Sequence, residues 1–107
     1  MVKLASIDLG SNSTRLLIAE LNNQEFNVLH RIHVVTKMSE NLEQTGEISS
    51  AAVKRVYSAL RTFKKLIIKN NVDEVFVIGT AALRDSKNAD ELIENIRKKF
   101  DFEIDVL

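Results

Sequence analysis

The chain has 107 residues, 45% of them apolar, which suffices for one domain with a modest core. Fifteen Lys and Arg balance fifteen Asp and Glu, so no net field draws it toward nucleic acid or an anionic membrane. It has no cysteine, hence no disulfide framework, thiolate nucleophile or zinc–sulfur site. No apolar run approaches the roughly 20 residues of a membrane span, and no signal peptide is visible, so a cytoplasmic protein without a membrane partner is expected.

Val2–Leu9 reads as a first strand and Arg15–Leu21 as its hairpin partner. Leu21-Asn22-Asn23-Gln24 turns the chain into a third extended run, Phe26 to about Val35. His30 and His33, the only histidines, fall on opposite faces of that strand and cannot share a metal. Thr36–Ile48 has no clean period and reads as a loop with a short helical turn. Ser49 or Ser50 is placed to cap a long helix whose apolar stripe is Val53, Val56, Tyr57, Leu60, Phe63 and Ile67. Its basic residues, Lys54, Arg55, Arg61, Lys64 and Lys65, read as a solvated surface. Asn70-Asn71 ends it. Glu74–Gly79 is nearly continuously apolar, the pattern of a central parallel strand buried on both faces. A second helix follows, with Asn88 and Glu91 as a capping pair and Leu92, Ile93, Ile96 and Phe100 as its stripe. Phe102–Leu107 begins a last strand. The order βββαβαβ describes an α/β fold with a mixed sheet. An apolar strand at the end of the chain suggests an incomplete domain, and its uncovered edge could pair with a second copy in a homodimer.

Two segments carry chemistry. Ser6-Ile7-Asp8-Leu9-Gly10-Ser11-Asn12-Ser13 delivers an aspartate to a glycine turn lined with small polar side chains. Such a turn can converge N–H groups on phosphate oxygens while Asp8 orients a hydrated Mg²⁺, although the same residue types dominate ordinary hairpin turns. Gly79-Thr80-Ala81-Ala82-Leu83-Arg84 follows the buried strand, where ligands of α/β sheets gather. Thr80 is placed to cap a helical turn, and Arg84 one turn later offers paired donors to a phosphate or, alternatively, to Asp85.

Ile7 to Leu16 together with Gly79 to Asn88 resembles the exopolyphosphatase/guanosine-pentaphosphate phosphatase (Ppx/GppA) family. Glu40 to Ser49 resembles its linking segment, with Ser39 and Asn41 standing where the family usually has glycines. The resemblance covers essentially the whole chain. It implies a ribonuclease H-like fold of the actin, heat-shock chaperone and sugar kinase superfamily, with residues 1–107 as one partial N-terminal domain. It also implies a Mg²⁺-dependent phosphohydrolase acting on polyphosphate or on the guanosine pentaphosphate of the stringent response. Asp8 would then hold the metal, and Ser11, Asn12, Ser13 and Arg84 would contact phosphates. Arg15 also matches a family position. The family's general-base glutamate lies in a Ser-Gly-Glu-Glu segment that would follow Leu107, and a second phosphate loop comes later. Neither is present, so no catalytic residue is assigned and these residues alone are expected to be inactive. The competing readings are a sugar or acid kinase of the same superfamily, which usually carries threonines at Ser11-Asn12-Ser13, and a non-catalytic phosphate- or nucleotide-sensing module.

Overall fold

A computed structural model describes the whole chain, residues 1–107. Alternation organises the first strand, β1 (Val2–Leu9): Ala5, Ile7 and Leu9 are at most 1% exposed, whereas Leu4, Ser6 and Asp8 point to the other face. β2 (Ser13–Asn22) pairs antiparallel with β1, and β3 (Glu25–Val35) antiparallel with β2, with a register shift between Ile18 and Ala19. β4 (Glu74–Gly79) runs parallel to β1, and β5 (Ile104–Val106) parallel to β4. The sheet order is β3-β2-β1-β4-β5. This is the expected mixed sheet, in the ribonuclease H-like arrangement.

The connection after β3 contains one short helix, α1 (Leu42–Thr45), closed by Gly46 in the left-handed region. α2 (Ser50–Lys69) begins as expected, with the Ser49 hydroxyl accepting from the Ala52 N–H at 3.1 Å. Its buried residues are Ala52, Val56, Ala59, Leu60, Phe63 and Ile67, with Val53 and Tyr57 at the margin of the stripe. Past the Asn70 cap, Asn71 takes the left-handed conformation, and the Asn70 amide donates to the Leu66 carbonyl at 2.7 Å. α3 (Ala81–Asp85) and α4 (Ala89–Phe100) follow β4. No helix is long and apolar enough to cross a membrane.

Residues of β1, β2, β4 and the three later helices join in a single core cluster. The helices therefore cover one face of the sheet, and this corrects the expectation for β4. Val77 is buried, but Phe76, one residue earlier and on the opposite face, is 50% exposed. Leu21, Phe26 and Val28 are also exposed. An unbroken apolar run signals apolar side chains on both faces of a strand, but does not require both to be covered here.

The predicted cap of α4 is also corrected. Asn88 occupies the N-cap position, yet its side chain caps nothing. Instead its Oδ1 accepts from the Ile48 N–H and its Nδ2 donates to the Ile48 carbonyl, both at 2.9 Å. An amide side chain presents the same donor and acceptor pair as a peptide, so Asn88 pairs with Ile48 as a neighbouring strand would.

Candidate phosphate-binding site

The parallel register of β1 and β4 brings the two motifs to one end of the sheet. Leu9 lies opposite Gly79, and the Thr80 N–H donates to the Leu9 carbonyl at 3.2 Å. The Thr80 hydroxyl also reaches toward that carbonyl, at 3.4 Å, so it does not cap α3 as expected.

Between β1 and β2 the chain reverses through Ser11 and Asn12, with the Gly10 N–H donating to the Ser13 carbonyl at 2.9 Å. A Cβ at Gly10 would stand 2.9 Å from that carbonyl oxygen, so only glycine fits without displacing the turn. Two-residue hairpin loops favour primed turns with positive φ, because other turn types splay the strands. Neither Ser11 nor Asn12 has positive φ. The turn is held from outside instead. The Ser39 N–H and hydroxyl both donate to the Ser11 carbonyl, and the Thr36 and Lys37 N–H groups donate to the Asn12 carbonyl at 3.1 and 3.0 Å. Lys37 adopts φ 51° there, an uncommon conformation for a residue with a Cβ. Behind the turn, the buried hydroxyls of Thr14 and Thr36 share a hydrogen bond of 2.8 Å.

This anchoring determines what the turn offers. The Ser11 carbonyl and the Asn12 N–H belong to one planar peptide and point in opposite directions. With the carbonyl turned to residues 36–39, the Asn12 N–H points away from them. No protein group accepts from the N–H of Ser11 or Asn12. Their side chains and the Ser13 hydroxyl are also unengaged, although Ser13 belongs to β2 and is only 8% exposed. Free N–H groups on a tight turn are what an oxyanion needs.

Asp8 is exposed, forms no salt bridge, and lies opposite Arg15 on β2 and Ile78 on β4. A shallow cavity of about 250 Å³ beside it is lined by Ser6, Asp8, Arg15, Leu17 and Arg31. Arg31 faces Leu17 across the β2–β3 pair and was not legible as a neighbour of Asp8, because placing it requires the register of both hairpins. No group of three His, Asp or Glu side chains stands together anywhere in the chain. A lone carboxylate is not a closed metal cage, but it fits Mg²⁺, which keeps several waters and takes one or two carboxylates plus phosphate oxygens.

Arg84 sits at the end of α3 and is engaged by its neighbour. Its Nε and Nη2 donate to the two carboxylate oxygens of Asp85 at 2.9 and 3.1 Å, and Nη1 lies 3.5 Å from the Leu107 carbonyl. The hydrogen bond from Arg84 holds the Asp85 carboxyl below its usual pKa. Arg84 thus shares the sheet end with the Ser11–Asn12 turn, but its guanidinium is directed to Asp85. The largest groove, about 620 Å³, lies alongside, between α1 and α3, and is lined by Ser39, Asn41, Glu43, Gly46 and Asp85. Asn41 has φ 59°, the left-handed conformation that asparagine tolerates better than most residues with a Cβ.

The sequence model of the Ppx/GppA phosphatase family matches residues 17–107. The chain belongs to the Ppx/GppA phosphatase family. It is 31% identical to Exopolyphosphatase 2 of Mycobacterium tuberculosis over 84% of its own length and 30% of that protein's. It is 27% identical to the guanosine-5'-triphosphate,3'-diphosphate pyrophosphatase of Aeromonas hydrophila over 96% of its own length and 21% of the relative's. Among solved structures, the Aquifex aeolicus member of the Ppx/GppA family superposes with a TM-score of 0.96 at 28% identity, covering 99% of this chain and 35% of that one. The chain thus spans a third or less of the length of these curated relatives. The kinase alternative gives way to this family assignment.

Proposed function

We propose that this chain is the first phosphate-binding wall of a Mg²⁺-dependent phosphohydrolase that releases terminal phosphate from inorganic polyphosphate or guanosine pentaphosphate. The observation that carries the proposal is the Ser11–Asn12 turn, with free N–H groups and Asp8 two residues before Gly10, in a chain of this family. Ser11 and Asn12 would donate backbone and side-chain hydrogen bonds to the oxygens of the end phosphate, with the Ser13 hydroxyl alongside. Asp8 would hold the hydrated metal, which when bound supplies positive charge against the phosphate oxygens. Arg84 would exchange Asp85 for a phosphate, a comparable partner for its planar fork.

Phosphoryl transfer depends chiefly on positioning and electrostatic clamping, so one wall binds without doing much chemistry. The general base, a glutamate expected beyond Leu107, would orient the attacking water, and its loss alone lowers rates by roughly 10²–10⁴-fold. These 107 residues by themselves should therefore bind weakly and not turn over. The test is Mg²⁺-dependent phosphate release from polyphosphate by a protein in which this chain is followed by the segments its relatives carry. Asp8→Ala should lower release by roughly 10²-fold or more. Release unaffected by Asp8→Ala and Arg84→Ala, or no release at all, would overturn the proposal.

A further inference from the structure

The segment from Thr36 to Ile48 touches both halves of the candidate site. At its start, Thr36, Lys37 and Ser39 hold the carbonyls of the Ser11–Asn12 turn. At its end, the Gly46 carbonyl accepts from the Lys87 N–H at 2.8 Å, and Ile48 exchanges two hydrogen bonds with the Asn88 side chain. Between these ends the segment is further fixed by Arg55, which donates to the Thr36 carbonyl and pairs with Glu40. Lys87 and Asn88 follow directly on Arg84, Asp85 and Ser86. The loop that carries the guanidinium and the turn that carries the free N–H groups are therefore joined through one strut.

We infer that Asn88 is a positioning residue: its amide clamps Ile48 and so fixes the Ser11–Asn12 turn relative to Arg84, a role that rests on the phosphate-site reading above. The physical case has three parts. Asn88 makes both bonds a peptide would make, to a residue that is only 2% exposed, so water does not replace them freely. The turn lacks the backbone conformation that would hold it unaided and depends on residues 36–39. The strut itself contains three left-handed residues, Lys37, Asn41 and Gly46, so its path is not one the chain would keep without fixed ends. An ordinary cap at the start of α4 would have no such reach, and Asn88 does not act as one.

Asn88→Asp and Asn88→Ala separate this role from simple support of α4. In each variant, hydrogen exchange of the Ile48 and Ser39 amides is measured, and KM and kcat for polyphosphate are measured in the longer protein. Asn88→Ala should expose both amides to exchange and raise KM roughly tenfold while kcat changes little, the mark of a displaced binding wall. Asn88→Asp at neutral pH keeps an acceptor for the Ile48 N–H but sets a carboxylate against the Ile48 carbonyl, so Ser39 exchange and KM should rise as in Asn88→Ala. Below about pH 4 the protonated acid again offers one donor and one acceptor, so amide protection should return toward that of the parent at the same pH. Loss of protection confined to Ile48, with Ser39 and KM unchanged, would overturn the inference. So would unchanged exchange at Ile48 in Asn88→Ala, or an Asn88→Asp variant that gains nothing on acidification. A wild-type protein that releases no phosphate would instead overturn the functional proposal, and the exchange of Ser39 together with acid rescue would still decide whether Asn88 holds the turn.

Discussion

At the Ser11–Asn12 turn the carbonyls are engaged and the N–H groups are free, whereas at the end of α3 the one guanidinium is already bound to a neighbouring carboxylate. The first half is organised before any ligand arrives: residues 36–39 orient its peptides, and nothing must be broken for a phosphate to accept from them. The second half must exchange one anion for another. Arg84 and Asp85 are both more than half exposed, so the pair is a weak, water-screened contact and the exchange is a small barrier. Under the proposed function, the turn would supply most of the affinity and Arg84 would adjust it.

The largest expected effect comes from breaking the organised half. Gly10→Ala places a methyl against the Ser13 carbonyl and forces the turn to move, so phosphate release should fall by roughly 10²-fold, comparable to loss of one preorganised donor. Thr14→Val comes next, since it leaves the Thr36 hydroxyl buried without its partner behind the turn. Denaturant melts should show a loss of about 1–3 kcal/mol, with Thr14→Val/Thr36→Val recovering much of it. Ser86 offers a gain between the halves. Its hydroxyl is buried with no hydrogen-bond partner, so Ser86→Ala should stabilise the fold by about 1 kcal/mol in the same melts.

The smallest effect sharpens the other half. Asp85→Asn removes the competing carboxylate from Arg84, and KM for polyphosphate should fall by roughly two- to fivefold with kcat unchanged. Acidification acts in the same direction. The folded-state pKa of Asp85 is lowered by the hydrogen bond from Arg84. The stability from this pair is therefore present above the unfolded carboxyl value and is lost as pH falls through the lower folded value. NMR titration should find the Asp85 midpoint below that of the same residue in Arg84→Ala.

Much of this architecture was legible from local signals. Val2–Leu9 read as a strand that delivers Asp8 to the glycine turn, Ser49 or Ser50 marked the start of α2, and Asn70-Asn71 marked its end, where Asn71 takes the left-handed conformation. That ligands of α/β sheets gather beyond the carboxyl ends of the strands pointed to Gly79–Arg84, while its meeting with Leu9 is set by the β1–β4 register. The misses involve partners distant in sequence. Asn88 looked like a cap because Glu91 stands three residues on, and nothing local reveals Ile48, forty residues away. The competition between Asp85 and phosphate for Arg84 could be posed, yet the geometry that engages Asp85 required coordinates. The exposure of Phe76 depends on which face the helices cover, which an apolar run does not encode.

The central claim is that the Ser11–Asn12 turn receives phosphate. Its most direct test is a titration of the ¹⁵N-labelled chain with tripolyphosphate, with and without Mg²⁺, followed through the backbone amides. The account predicts saturable shifts centred on the Ser11 and Asn12 N–H groups, strengthened by Mg²⁺ and abolished by Gly10→Ala, with the Arg84 side chain responding more weakly. Amides at the turn that stay still while shifts gather on the lysines of α2 would contradict it.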